Sequence, residues 1–253
     1  STQYTDPIPL SYGTTVVRAF AVSYSGIITD EYSATYVLRD ENAPYTFKDA
    51  KVERIARRIL GLAYDDITYK QLDKITAFTN APDGEQMDGS ILTIADFKEF
   101  INLNEVRLTG EREIADLEVL AEIPGLTYLT LNECDIGNDD LNMISKLTAL
   151  TSLSVDANVF TDLAPLSALT NLTYLSVSDN GLRDVEGLSA LTKLKTLVAA
   201  DNQIIDPQGV AGIASVSVLD LSGNQLSSIV NLAPLTRLTD LNLSGNRISS
   251  LDG

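Results

Sequence analysis

The chain has 253 residues, with 18 basic and 35 acidic side chains and a formal net charge of -17. This charge disfavours nucleic acid and anionic membrane surfaces as partners, because both are repelled by it. The chain has no histidine and one cysteine, Cys134, so it can form no internal disulfide and lacks the commonest general base and metal ligand. No apolar run is long enough to cross a bilayer, and we expect no membrane insertion.

The first 41 residues are rich in tyrosine and alternate apolar with polar positions. The stretches "TTVVRAFAV" and "EYSATYVL" predict β-strands from this period of two. The longer stretch "YTDPIPLSYGTTVVRAFAVSYSG" resembles the second half of the small β-sandwich of the chitobiase C-terminal, fibronectin-III-like type. That resemblance implies a partial all-β segment whose first strands precede Ser1.

The next segment predicts a short helical region. Val52, Ile55, Ala56, Ile59 and Leu60 share one face of a helix, and Gly61 is a natural stop. Thr68 and Gln71 have the spacing of a capping box, which predicts a second short helix.

Basic residues of the first helix form a charged row. Lys51, Arg54 and Arg58 line one face, which is either an ordinary solvated face or a site for an acidic partner.

From about residue 103 onward the chain is written in repeats. Successive copies start at Leu150, Leu172, Leu194, Val216 and Leu238, 22 residues apart, after longer copies at Leu103 and Leu126. Counting each first residue as position 0, positions 0, 3 and 5 are apolar and alternate as in a strand. Apolar residues then follow from position 10 at every third place, which suits a 3₁₀ turn better than a full helix.

A single copy cannot bury its own leucines, but stacked copies can. We therefore expect an α/β solenoid in which the strands form one parallel sheet. Position 8 is an asparagine whose buried carboxamide can satisfy backbone groups where the chain leaves each strand. These ladder residues are Asn158, Asn180, Asn202, Asn224 and Asn246, while Glu111 and Cys134 occupy the position in the first two copies, where we expect a weaker ladder.

The pattern L-x-x-L-x-L-x-x-N-x-L, with copies such as "DNGLRDVEGLSALTK", resembles the leucine-rich repeat of bacterial internalin-like surface proteins. The upstream stretch "FKDAKVERIARRILGLAYDDITYKQLDKITAF" is similar to the helical cap that opens such arrays. The resemblance implies a leucine-rich repeat solenoid with a short α-helical N-terminal cap, at the cell surface or outside the cell, and a protein or glycan partner.

These observations divide the chain into three parts. We predict a partial β-sandwich segment at residues 1–41, a helical cap with an irregular first repeat from about Ile75 at 42–93, and leucine-rich repeats at 94–253. The copy at Leu238 stops after Leu251 without a closing cap, so we expect an exposed last coil and a fragment of a longer protein.

Chemistry within the chain has little support. A calcium loop around Gly89 would place Gly84, Gln86 and Ala95 at positions that need oxygen ligands. Cys134 has no histidine to activate it and suits a structural role. The paired acids Asp65–Asp66 and Asp139–Asp140 lack a visible pocket. We therefore expect no enzyme, no cofactor and no metal.

The candidate site is the concave sheet surface, formed by outward residues at positions 2, 4 and 6. Tyr128 and Tyr174 lie two copies apart in one column, and tyrosine is a common hot-spot residue at interfaces. The predicted contact residues are Glu105, Arg107, Tyr128, Thr130, Ser154, Tyr174, Ser176, Val198, Asp220, Asp240 and Asn242.

Two interpretations stay open. In the first, a monomeric surface or secreted protein presents this rigid face to a protein or glycan, for example in adhesion. In the second, the chain is a passive spacer or accessory module of a larger secreted, wall-associated or glycan-degrading protein. The tyrosine pair favours binding, and the many small polar positions favour the spacer.

Overall fold

The computed structural model describes residues 13–19, 32–81 and 88–250, with side chains from residue 39 onward. These residues form two compact units. One holds residues 13–19, 32–45 and 66–70, and the other holds 46–65, 71–81 and 88–250. The boundaries predicted at residues 41 and 93 stay predictions.

The first unit contains an antiparallel strand pair. Strand β1 (Gly13–Ala19) pairs with β2 (Tyr32–Leu38) in the register Gly13↔Leu38. Strand β2 lies within its predicted stretch, and β1 overlaps its predicted stretch but begins one residue earlier, at Gly13. A two-stranded pair does not establish a β-sandwich, so the fibronectin-III-like segment stays a prediction.

The second unit opens with the predicted cap helix. Helix α1 (Ala50–Leu60) begins where the Asp49 carboxylate accepts hydrogen bonds from the N–H groups of Lys51 and Val52, and it ends at Gly61 with φ 67°. The left-handed conformation at Gly61 explains the glycine, because a side chain there would be strained. The predicted face is only partly buried, since Val52, Ile55 and Ala56 are inaccessible but Ile59 and Leu60 are half-buried.

A second helix follows, as expected. Helix α2 (Tyr69–Leu72) begins directly after Thr68. No helix among the described residues is long and apolar enough to span a membrane.

The repeats form one eight-stranded parallel sheet whose strands follow chain order. The strands are β3 (Ala77–Thr79), β4 (Glu105–Thr109), β5 (Tyr128–Asn132), β6 (Ser152–Ser154), β7 (Tyr174–Ser176), β8 (Thr196–Val198), β9 (Val218–Asp220) and β10 (Asp240–Asn242). The register joins equivalent positions, as in Leu153↔Leu175↔Leu197↔Leu219. Strand β3 is the first strand of this sheet in chain order, and the start of the array near Ile75 stays a prediction.

The opposite side of each coil is built mainly from 3₁₀ turns, as the every-third apolar spacing predicted. These turns are Phe97–Glu99, Leu117–Glu122, Ala164–Ala168, Leu188–Ala190, Gln208–Val210 and Val230–Leu232. In the 24-residue copy an α-helix, α3 (Asn138–Ile144), takes this place, so Asp139 and Asp140 lie in the first helical turn. The two extra residues of that copy give room for the wider helix.

The leucines share a single interior. Leu150, Leu172 and Leu194 are fully buried, and Phe78, Phe97 and Phe100 fill the N-terminal end with ring centroids 4.6–6.1 Å apart. Burial fades in the last described coil, where Leu241 is 45% exposed although its equivalent Leu219 is 1% exposed. The outward sheet face is therefore backed by a buried apolar core through most of its length.

Candidate functional site

The sheet register arranges the outward residues in columns. The column at position 2 runs through Glu105, Tyr128, Ser152, Tyr174, Thr196, Val218 and Asp240. Tyr128 and Tyr174 both lie next to Ser152 in this register, about 9.6 Å apart by strand spacing. The predicted column is thus present, with one small residue between the two tyrosines.

The predicted contact residues differ in exposure. Arg107, Asp240 and Asn242 are exposed, whereas the half-buried members are Glu105, Tyr128, Thr130, Ser154, Tyr174, Val198 and Asp220. Ser176 was expected on the accessible face, and this is wrong because the side chain is only 2% exposed. Its hydroxyl instead donates to Asp156 Oδ1 over 2.7 Å.

Tyr128 is already covered by a cation of the same chain. The Arg107 guanidinium carbon lies 4.4 Å from the centroid of the Tyr128 ring, and Arg107 also forms an ion pair with Glu105. A guanidinium over a tyrosine face is attracted by the ring quadrupole. One of the two predicted hot spots therefore presents a composite surface of ring, cation and carboxylate.

Tyr174 has small neighbours instead. On β6, Ser152 lies directly opposite Tyr174, and Ser154 lies two residues further along the strand. The equivalent residues beside Tyr128 on β4 are Glu105 and Arg107. Within residues 39–81 and 88–250, the only guanidinium or ammonium groups found over aromatic rings are those above Tyr69 and Tyr128. The two tyrosines thus share a column but not a chemical environment.

At Ser154, the diagonal neighbour of Tyr174, lies a chain of hydroxyl, amide and carboxylate groups. The Ser154 hydroxyl lies 2.9 Å from Asn132 Oδ1 and 3.0 Å from Asp156 Oδ2. Asp156 Oδ1 also accepts from the backbone N–H of Ser178 over 2.7 Å. These bonds fix the Asp156 carboxylate against the sheet rather than leaving it to move in solvent.

A second carboxylate fixed by hydrogen bonds, that of Asp220, lies on strand β9 near the C-terminal end of the described sheet. Burial favours the neutral form of Asp220, but hydrogen bonds from the hydroxyl and N–H of Ser222 and from the Asn242 amide outweigh it. The net effect lowers the pKa of Asp220 below its usual value. Asp220 is consequently a fixed negative charge on the concave face.

The asparagine ladder has the expected role and a regular geometry. In each case Nδ2 donates to the position 5 carbonyl of the preceding copy, as from Asn202 to Val177 at 3.0 Å. Its Oδ1 accepts backbone N–H groups of that same copy, as from Asn180 and Leu182 at 3.1 and 3.0 Å. The other ladder residues repeat this pattern in whole or in part: Asn158, Asn180, Asn224 and Asn246.

Sequence reasoning missed the residue that precedes each ladder position. Position 7 has a positive φ in every copy, at Gly110, Glu133, Ala157, Asp179, Asp201, Gly223 and Gly245. This left-handed residue turns the chain out of the strand and aims the following carboxamide inward. The frequent glycine, aspartate and glutamate just before the asparagine were the available signal.

The sequence predicts a weaker ladder in the first two copies, and at Glu111 the structure differs from this prediction. Glu111 is 1% exposed, and its carboxylate accepts from Lys51 Nζ at 2.5 Å, Asn80 Nδ2 at 2.6 Å and the Ile91 N–H at 2.8 Å. A carboxylate cannot donate, so Asn80 Nδ2 supplies the bond to the Thr109 carbonyl at 2.7 Å.

The three basic residues of helix α1 therefore do not share one exposed face. Lys51 is 2% exposed and belongs to the interior, while Arg54 and Arg58 are exposed. The prediction that Lys51 belongs to a solvated or partner-binding row is wrong. The Lys51 ammonium donates instead to the Glu111 carboxylate and, over 2.6 Å, to the Gly89 carbonyl.

Cys134 is a buried thiol in the ladder position. Its Sγ lies 3.2 Å from the Asn132 carbonyl oxygen and 3.7 Å from the Leu108 carbonyl oxygen. Leu108 is at position 5 of the preceding copy, so the second contact is a longer version of the bond that each ladder asparagine donates there. Burial raises the pKa of Cys134 to about 11. A thiol that stays protonated at neutral pH is a poor nucleophile and metal ligand.

One pocket among the described residues is apolar and small. It lies between the 3₁₀ turn Leu117–Glu122 and α3, and its volume of about 30 Å³ holds roughly one water molecule.

Comparisons with known proteins agree with this architecture. A profile for leucine-rich repeats matches residues 170–211 and 215–253, and no curated protein matches significantly. Internalin C2 of Listeria monocytogenes is similar in structure, with 26% identity and a TM-score of 0.60 over 78% of this chain and 94% of that one. A leucine-rich repeat protein of Leptospira interrogans aligns with 20% identity and a TM-score of 0.58 over 71% of this chain and 45% of that one.

The sheet, the 3₁₀ turns, the asparagine ladder and these matches lead to one structural assignment. The chain carries leucine-rich repeats and folds as an internalin-like leucine-rich repeat solenoid.

Proposed function

We propose that this chain is a non-enzymatic binding module of a bacterial surface or secreted protein, and that the concave sheet face contacts a protein partner. The observation that carries the proposal is the in-register column with Tyr128 and Tyr174 on either side of Ser152. Rigid aromatic side chains on a fixed scaffold give contact area at low entropic cost. The internalin-like fold supports a place at the cell surface or outside the cell.

The chemistry of the face supports binding rather than turnover. Its carboxylates are fixed by neighbouring hydroxyl and amide groups, and the chain's one thiol is held protonated by burial. Among the described residues no group of three or more acidic or cysteine side chains is placed to hold a metal ion.

The passive spacer is the second candidate function. Several concave hydroxyl groups already bond within the chain, and Ser176 is buried, so they offer little to a partner. A solenoid of this kind would separate other modules of a larger protein without contacting anything itself.

A capture experiment separates the two functions. The immobilised chain and its Tyr128→Ser/Tyr174→Ser variant are exposed to host-cell and cell-wall extracts. The matched control is Val159→Ser/Ile205→Ser, which removes two apolar side chains that are 63% and 62% exposed outside the concave columns.

If the concave face binds, the tyrosine variant loses the captured protein and the control keeps it. Equal capture by all three forms, or capture by none, would contradict the proposal and favour the spacer. Circular dichroism and thermal melts of each variant check that the solenoid is intact.

A further inference from the structure

The two tyrosines of the column differ in one respect that points to a ligand. At Tyr128 the diagonal neighbour on the preceding strand is Arg107, whose guanidinium carbon lies 4.4 Å from the ring centroid. At Tyr174 the equivalent diagonal neighbour is Ser154, and the residue directly opposite is Ser152 rather than Glu105. The same scaffold position therefore carries a cation in one copy and a short hydroxyl in the other.

A carboxylate also lies beside the diagonal neighbour of the ring at both places. Glu105 pairs with Arg107 beside Tyr128. Near Tyr174, Asp156 Oδ2 lies 3.0 Å from the Ser154 hydroxyl oxygen, which places the carboxylate next to the position that Arg107 occupies in the earlier copy. Where the structure describes side chains, no lysine or arginine forms an ion pair with Asp156.

We propose that Tyr174 and Asp156 form a recognition site for an arginine side chain of the protein partner, above Ser152 and Ser154. This inference rests on the proposed function and adds the chemistry of the contact. The guanidinium of the partner's arginine stacks on the Tyr174 ring as Arg107 stacks on Tyr128, and it pairs with the carboxylate of Asp156. Arginine fits better than lysine, because its planar group can stack and donate hydrogen bonds at the same time.

The charge of the chain favours the same kind of partner. The net charge is -17, and residues 103–253 hold 8 basic and 20 acidic residues. A partner with a basic surface segment is attracted over a distance comparable to the Debye length before contact. Asp156 is fixed by bonds to Ser154, Ser176 and Ser178, so its orientation costs little entropy on binding.

The most informative variant places an arginine of the chain itself in the proposed site. Ser154→Arg places at Tyr174 the residue that Arg107 supplies at Tyr128, and so should compete with the partner's arginine. Thr192→Arg is the matched control, because Thr192 is exposed away from the sheet and the substitution adds the same charge. Tyr174→Ser removes the ring and tests the site independently of how well the arginine substitution is accommodated.

The probe is a blocked peptide that alternates arginine and glycine, compared with its glutamine counterpart at low ionic strength. Peptide affinities of the parent chain and the variants are measured by calorimetry, and NMR of ring-labelled tyrosine locates the contact in the parent chain, with the Tyr174 signals identified from Tyr174→Ser. We expect the arginine peptide to shift the Tyr174 signals and the glutamine peptide not to. Ser154→Arg and Tyr174→Ser should each weaken arginine-peptide binding about 5-fold or more, and Thr192→Arg less than 2-fold.

Two results would overturn the inference: equal binding of the two peptides by the parent chain, or an unchanged affinity in both site variants. These outcomes are separate from the capture experiment. If the tyrosine double variant loses its partner while the peptides do not discriminate, the concave face binds but the arginine site is wrong.

Discussion

Lys51 of the cap helix donates from its ammonium group to Glu111 of the first ladder position, with Nζ and Oε1 2.5 Å apart and both side chains buried. The pair ties the cap to the repeats at the point where an asparagine would otherwise stand. Because the Glu111 carboxylate also accepts from Asn80 and Ile91, it completes the backbone bonding of the first coils. The cap is thus joined to the array by a specific polar contact as well as by apolar burial.

Removal of the lysine should be costly. Lys51→Met leaves the Glu111 charge buried without a cation, and we expect the free energy of unfolding to fall by about 3–5 kcal/mol. The double variant Lys51→Met/Glu111→Gln removes both charges and should recover a large part of this loss. Urea denaturation of the wild type and the variants measures the coupling, and a single variant as stable as the wild type would disprove the role assigned to the pair.

The asparagine ladder should matter most inside the array. Asn202→Ala removes a carboxamide that donates to three carbonyl groups and accepts from two N–H groups, and buried groups left without partners cost about 1–3 kcal/mol each. Asn246→Ala in the half-buried last coil should cost less. Equal losses in thermal melts would show that the ladder does not depend on burial.

The left-handed residue before each asparagine gives a prediction with opposite signs at two sites. Ala157 has φ 54°, so Ala157→Gly should relieve strain and stabilise the chain by up to about 1 kcal/mol. Gly223 has φ 66°, and a Cβ there would also clash with the Asp201 carboxylate, so Gly223→Ala should destabilise by about 1–2 kcal/mol. Chemical denaturation of both variants checks the signs, and a destabilised Ala157→Gly would contradict the account.

Cys134 should be nearly inert in the folded chain. Burial raises the thiol pKa from its usual 9.0 to about 11, so at pH 8 the thiolate fraction falls roughly 100-fold. The 7% exposure of Cys134 slows attack further. Reaction with a disulfide reagent at pH 8 should be slow until denaturant is added.

The same shift predicts a pH dependence. Because the folded pKa lies above the unfolded one, the stabilising contribution of the protonated thiol is complete below pH 9 and is lost as pH rises through about 11. Cys134→Ala should therefore reduce the alkaline loss of stability in this range. A folded chain whose thiol reacts as fast as a free thiol would contradict both statements.

The sequence predicts the array well, because its signals are local and repeated. Leu150, Leu172 and Leu194 define a period, and a period of 22 residues with alternating and then every-third apolar positions leads to strands and 3₁₀ turns. The inward asparagines follow from the need to satisfy backbone groups where the strands end. Each of these inferences depends on neighbours that the repeat itself supplies.

Contacts between distant segments could not be read in this way. Lys51 shares a helical face with Arg54, and its pairing with Glu111, 60 residues later, is visible only in three dimensions. Ser176 has the position of an outward residue, but its hydroxyl donates a part-buried hydrogen bond to Asp156 of the preceding copy. The cation over Tyr128 likewise depends on which residue the preceding copy places beside the ring.

The most direct test of the concave face is hydroxyl-radical footprinting of the chain alone and in complex with the partner isolated by capture. Tyr64, which is 95% exposed and outside the sheet, serves as the internal reference. We predict that oxidation of Tyr128 and Tyr174 falls at least about 3-fold in the complex while that of Tyr64 is unchanged. Unchanged oxidation of both sheet tyrosines, with protection on another surface, would contradict the assignment of the concave face as the binding site.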